Sequence, residues 1–282
     1  MTDYHHAVDV LRFAVKTEEP CALVTVTDIH GGSMRSKGSL MAITPTKSAG
    51  YISNGCVDGD IIFQARAAEE AVTLIYGDGS SFKDITLPCG GAIHVMVEPK
   101  PDKRHLSAIL RGLESRQEAT LNFGDWNWRY SPKLRIRIAG RGAAADALAR
   151  QAKQAGFEVH LQSPEIGMVG FDRVDHLTDL SSPPEVTDDK WTALVLMFHD
   201  HDWEYALLEQ ALKGNAFYIG AMGSIRTHQD RCEMLKDKGV SPEDIARIHG
   251  PIGIIPTMRD ANLLALSTLA EIVKNAQDKA RL

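Results

Sequence analysis

The stretch LRIRIAGRGAAADALARQAKQAGFEVHLQS, residues 134–163, decides the fold. LRIRIAG reads as a strand, AAADALARQAKQAG as a helix ending at Gly156, and FEVHLQS as a second strand. Between the first strand and the helix stand Gly140 and Gly142, with Ala145 in the third position of a G-x-G-x-x-A fingerprint. The glycines let the backbone turn tightly and approach a pyrophosphate, and the helix start offers unpaired N–H groups to the anion. Such a site also needs an acid at the end of the second strand to hold a ribose hydroxyl. Here Ser163 occupies that place, and Glu165 is a weak substitute because Pro164 precedes it. The same turn is equally readable as helix–strand packing with no nucleotide affinity.

Toward the C-terminus the alternation continues. TALVLMF and AFYIG read as strands, and WEYALLEQALKG, SIRTHQDRCEMLKDKG and NLLALSTLAEIVKNA as helices. Residues 164–190 read as a polar loop with a short strand around VDHL. Residues 133–282 are therefore expected to form a Rossmann-like, doubly wound parallel sheet. The carboxyl edge of such a sheet is where ligands bind. MFHDHDWE falls on that edge, and His199 and His201 point the same way on an extended segment, which makes them candidate metal ligands. Asp202 reads as the N-cap of the helix that follows. Ser224 reads as the cap of another helix with Arg226 in its first turn, and Arg259 stands at a further helix start. Two arginines at helix starts favour a phosphorylated ligand over mere solvation.

Toward the N-terminus, residues 4–18 have helical spacing, and Pro20 ends that helix. CALVTVTD alternates as a strand, with Val24 and Val26 on one face and Leu23 and Thr25 on the other. SLMAITP, GYIS, VTLIY and AIHVMVEP are further strands, and DGDIIFQARAAEEA is a helix. Residues 1–100 thus read as an α/β unit. Residues 101–132 read as a linker and connecting helix, with NFGDWNWRY as a strand or hairpin.

The chain has 282 residues, a net charge of −6, 44% hydrophobic and 24% charged residues, so an ordinary globular protein with no nucleic-acid or membrane-surface partner is expected. No apolar run is long enough to span a bilayer, and MTDYHHAVDV has no signal-peptide core, so the expected compartment is the cytoplasm. Its four cysteines are then reduced, and no C-x-x-C pair is present. Cys21 and Cys232 read as core residues. Cys56, in NGCVDG, and Cys89, in PCGG, differ: each lies in a glycine-flanked turn. Glycine lets a large ligand approach the backbone. Cys56 also stands ahead of a helix start, whose N–H groups favour an anion, while Asp58 and Asp60 oppose one. A small buried residue in a tight turn is the simpler alternative.

Seven segments in order resemble the XdhC/CoxI family, accessory proteins of xanthine dehydrogenase and related molybdenum hydroxylases. They are ALVTVTDIHGGSMRSKGSLMAI, GYISNGCVDGDI and LPCGGAIHVMVEP in the first part, and IAGRGAAADALARQAKQAGFEV, VLMFHDHDWE, YIGAMGSIRTHQDR and PIGIIPTMRDANLLALSTLAEIV in the second. The resemblance implies an XdhC/CoxI-type α/β domain followed by a Rossmann-like domain. It implies a non-catalytic role: binding molybdenum cofactor (molybdopterin), protecting it during sulfuration, and delivering it to an apo-hydroxylase. A cysteine desulfurase is a second candidate partner, and a homodimer is the expected assembly. Cys56 and Cys89, with Gly55, Gly90 and Gly91, match the family's thiol motifs, and a soft thiolate suits a molybdenum–sulfur centre. Gly140, Gly142, Ser224, Arg226 and Arg259 are the corresponding cofactor-binding candidates in the second domain. The family's GAGHVG is GRGAAA here, its histidine is Ala143, and its IGAR is PTMR. With Ser163 in the acid's place, NAD(P) binding is not expected. The competing reading is an NAD(P)-dependent oxidoreductase with a degenerate Rossmann site, and a third is a ligand-free docking protein.

Overall fold

In the computed structural model, which describes residues 6–78, 80, 90–167, 169–199 and 202–279, the chain divides into two units between Pro132 and Lys133. The first opens with α1 (Ala7–Lys16), where His6 Nδ1 accepts from the N–H of Val8. Then come β1 (Ala22–His30), β2 (Leu40–Ile43), β3 (Ser48–Gly50), α2 (Asp58–Ala67), β4 (Val72–Gly77) and β5 (Ala92–Glu98). The strands form a sheet in the order β3-β2-β1-β5-β4, and every neighbouring pair is antiparallel. The β1–β2, β2–β3 and β4–β5 pairs join strands that are neighbours in the chain, while β1 and β5 pair across everything between them.

Period-two alternation distributes β1 over two cores. Val24 and Val26 pack with Met41, Ile43, Val95 and Ile61 under α2, while Leu23 packs with Leu40 and Leu11 on the opposite face. With both faces covered, β1 is buried from Ala22 through Thr27. The second face is closed by α3 (Lys103–Glu114), whose Leu106, Ile109, Leu110 and Leu113 join α1's apolar stripe. The hairpin β6 (Ala119–Phe123) and β7 (Trp126–Tyr130) adds Leu121 and Phe123 to the same core. Residues 101–132 are thus built into the first unit rather than strung between two bodies, because α3 and the hairpin have apolar faces that only this core covers. The segment GYIS is strand only to Gly50: the N–H groups of Ile52 and Ser53 turn to a side chain instead of a ladder.

The second unit runs β8 (Arg135–Gly140), α4 (Gly142–Gln154), β9 (Glu158–Ser163), β10 (Arg173–His176), β11 (Thr192–Met197), α5 (Glu204–Lys213), β12 (Tyr218–Ala221), α6 (Ile225–Asp237), α7 (Pro242–Ile245), β13 (Ile248–His249) and α8 (Ala261–Asp278). Its strands are all parallel, in the order β10-β9-β8-β11-β12-β13. Helices α4 and α8 contribute Leu148, Ala152, Ile272 and Ala276 to the core on one face, and α5 and α6 contribute Leu207, Leu208, Ala211 and Leu235 on the other. This is the doubly wound arrangement, with strand order reversing between β8 and β11. Gly140 makes that junction: a Cβ there would lie 2.7 Å from Met197. Helix α5 starts without Asp202 as its cap. Trp203 occupies the cap position with no side-chain bond, and Glu204 in the first turn is held by a buried two-pronged ion pair with Arg231. Among the described residues no helix is long and apolar enough to cross a membrane.

Candidate functional site

The antiparallel order gathers the turn that carries Cys56 and the glycines ahead of β5 at one end of its sheet. His30 at the end of β1 and Gly77 at the end of β4 both pair with Ala92 at the start of β5. Strand β3 runs parallel to β1 and releases the segment 51–57 toward this same end. The strand ends meet backbone to backbone. A Cβ on Gly91 would lie 2.5 Å from the carbonyl of His30, and one on Gly31 3.1 Å from Cα of Gly91. Gly90 has a φ of 66°, and among the described residues no atom lies within 4 Å of where its Cβ would be. Cys89 itself lies outside the described residues.

Cys56 is exposed. It sits on a turn in which Asn54 and Gly55 both adopt left-handed backbone, with φ of 59° and 108°. Asp58, buried at the first position of α2, accepts from Ile52 N at 2.9 Å, Ser53 N at 2.8 Å and Gly55 N at 2.7 Å. Ser53 Oγ accepts from Val57 N at 2.8 Å. Asp60, in the first turn of the same helix, accepts from Tyr76 Oη at 2.7 Å, which ties the helix start to the end of β4. Among the described residues, no atom lies within 4 Å of a Cβ placed on Gly55 or Gly59.

The loop 31–38 borders this turn. The Arg35 guanidinium stands 4.8 Å from the centroid of the Tyr51 ring. Lys37 pairs with Asp28, and His30 faces the same carboxylate at 3.1 Å and the ring of His94 at 5.5 Å between centroids. The β6–β7 hairpin anchors the far end of the loop, since Tyr130 Oη donates to the Gly38 carbonyl at 2.7 Å and Trp128 packs where Gly38 would carry a Cβ. Sequence reasoning missed Arg35, Tyr51 and Asp58 as parts of this end. The glycine pair in HGGSMRSKG is the signal that could have found the loop.

In the second unit the fingerprint turn lies at the switch point. Gly142 has a φ of 77° and begins α4. Its N–H donates to both oxygens of Glu165 at 3.2 Å. Ser163 is turned into the core, and its Oγ accepts from Glu165 N at 3.1 Å. The acid absent at the strand end is thus supplied two residues later, and it occupies the N–H that a pyrophosphate would seek. His199 is exposed just past β11, while His201 lies outside the described residues. No group of three or more His, Cys, Asp or Glu able to hold a metal ion occurs among the described residues. Ser224 caps α6 by accepting from Thr227 N at 3.1 Å, which leaves Arg226 exposed in the first turn. Arg259 is exposed one residue before Asp260, the cap of α8. Cys21 is half-buried against the α1–α3 core, and burial pushes its thiol up to about 11. Cys232, expected in the core, is half-buried on α6 with its Sγ 3.6 Å from His228 Nε2.

Residues 14–77 match the XdhC and CoxI family, and residues 136–272 match the XdhC Rossmann domain. The molybdenum cofactor insertion chaperone PaoD of Escherichia coli (strain K12) is 33% identical, over 96% of this chain and 89% of PaoD. The uncharacterized protein YqeB of the same organism is 22% identical over 95% of this chain, which spans 46% of YqeB. A crystal structure of a xanthine dehydrogenase from Bacillus halodurans shares the fold, with a TM-score of 0.79 at 18% identity over 97% of this chain and 96% of that one.

Proposed function

Because this chain belongs to the XdhC and CoxI family, we propose that it binds molybdenum cofactor as cargo, shields it, and delivers it to an apo-enzyme of the molybdenum hydroxylase class such as xanthine dehydrogenase. The observation that carries the reading is Cys56: an exposed thiol on a hydrogen-bonded turn, at a sheet end floored by glycine backbone. A core cysteine needs neither the open surface nor the preformed turn. A soft thiolate is a suitable partner for a molybdenum–sulfur centre. Cys89 adjoins Gly90 in the chain and is proposed as the second thiol. Gly55, Gly90 and Gly91 let a flat cargo approach the backbone, and Arg35, stacked on Tyr51, offers a fixed cation to the cargo's phosphate. The relative PaoD, whose name states the same role, supports this reading.

The second unit is proposed to dock the client, with the working form a homodimer that light scattering would reveal. A cysteine desulfurase would be a transient partner during sulfuration. Ser224, Arg226 and Arg259 are proposed contacts for anionic parts of the cargo, and His199 with His201 a metal contact. An NAD(P)-dependent oxidoreductase is the weaker reading, since the Glu165 carboxylate already takes the Gly142 N–H.

The test is molybdenum per folded chain, with client activation, for protein made in a cofactor-competent host. Cys56→Ser and Cys89→Ser are expected to keep the fold and lose both. Wild-type molybdenum and activation in the two variants would make the thiols structural.

A further inference from the structure

We infer that Asp58 is the positioning residue of Cys56, holding the turn that presents the thiol before any cargo arrives. The inference rests on the reading of Cys56 as a ligand. A capping carboxylate accepts N–H groups of the helix it begins. Asp58 does otherwise. It is the first residue of α2, the cap position is Val57 with no side-chain bond, and the carboxylate reaches back to Ile52, Ser53 and Gly55. With the Ser53 Oγ bond to Val57 N, four N–H groups on the two sides of Cys56 are fixed.

Asn54-Gly55 is a pair that takes two consecutive positive-φ residues readily, yet a local preference alone leaves a loop free to depart from that state. The Asp58 bonds are what makes that conformation the resting one. They also explain why a carboxylate is tolerated two residues from the thiol. Its charge is engaged by three N–H donors, and it lies at a helix start where an anion is favoured. The sulfur is left to face outward with its backbone already set.

The two oxygens divide the labour, and this gives a selective test. Oδ1 takes Ile52 N and Ser53 N, and Oδ2 takes Gly55 N, the peptide next to Cys56. In Asp58→Asn the amide oxygen keeps the first two bonds, and the NH2 group meets the Gly55 N–H donor to donor. In the full chain, Gly55 amide exchange is expected to rise about tenfold or more, a loss of roughly 1.4 kcal/mol of protection, with Ile52 and Ser53 still protected. Molybdenum per folded chain is expected to fall at least about fivefold, because the thiol loses its preset position. Ser53→Ala, which frees only Val57 N, is expected to show a smaller fall. Unchanged Gly55 exchange in Asp58→Asn overturns the inference, as does faster exchange with wild-type molybdenum. Cys56→Ser separates the two levels. If it retains molybdenum, the ligand reading itself fails; if it loses molybdenum while Asp58→Asn retains it, only the role of Asp58 falls.

Discussion

Lowering the pH from 7 to 4 should destabilise the second unit through one imidazole. His160 on β9 is 1% exposed, and burial pushes it down from 6.5 to about 4, even though Asp175 Oδ2 accepts its Nε2–H at 2.7 Å and works against the shift. Above pH 6.5 the ring is neutral in the folded and unfolded chains alike, and the full stability is present. Between 6.5 and about 4 the unfolded chain takes up a proton that the folded one refuses, so stability falls as pH falls. The gap corresponds to about 3 kcal/mol if the whole window is crossed. Near pH 5 about 2 kcal/mol, some two-thirds of it, is already lost. Urea titrations of wild type and His160→Gln at several pH values isolate the effect, since glutamine keeps a donor toward Asp175 and does not titrate. Wild type should lose more stability than the variant across this window. Parallel pH profiles for the two proteins would refute the assignment.

Gly91→Ala should cost about 1–3 kcal/mol in urea unfolding and abolish cargo retention, because the new Cβ would stand 2.5 Å from the His30 carbonyl and 3.2 Å from that of Gly32, which are backbone and cannot swing aside. Glu165→Gln should tighten binding of inorganic pyrophosphate or ADP by roughly fivefold in calorimetry, since removing a like charge at a few ångströms is worth about 1 kcal/mol in a water-like medium; weaker binding of ADP but not of pyrophosphate would instead make Glu165 a ribose ligand. Wild type should show no NAD binding near one micromolar. Cys21→Ser should lower stability by about 1–2 kcal/mol by placing a hydroxyl in a half-apolar site, and leave molybdenum content unchanged.

The second unit was legible because its signals are local. Strand, glycine turn and helix repeat in order, and parallel pairing follows from the helical crossovers. The strand around VDHL is β10, one residue displaced. Less was legible where pairing is non-local. Nothing in AIHVMVEP says that it lies against β1 as well as against its chain neighbour β4, and a two-residue strand such as β13 has no period to detect. The hairpin in NFGDWNWRY is there, yet its anchoring of Gly38 depends on Trp128 and Tyr130 meeting a loop about ninety residues earlier. At the thiol end, Cys56 and its glycines stood out by composition. Asp58 registered only as a charge opposing an anion, because a side chain bonding backward to its own turn leaves no mark on hydrophobic periodicity. Glu165 was discounted for following Pro164, although the proline only redirects the chain and Ser163 Oγ holds it there.

The contacts among Gly31, Gly77 and Gly91 have a consequence for how this surface can change. A floor made of main chain has no rotamers to exchange. It cannot be retuned residue by residue for a different guest, as a pocket lined with leucines or methionines can. Variation in what this end accepts must come from its rim, through the length and charge of the loop carrying Arg35 and Lys37. Across related chains the floor should stay fixed while the rim drifts, and exchanging that rim between relatives would be the economical way to redirect the protein to another guest.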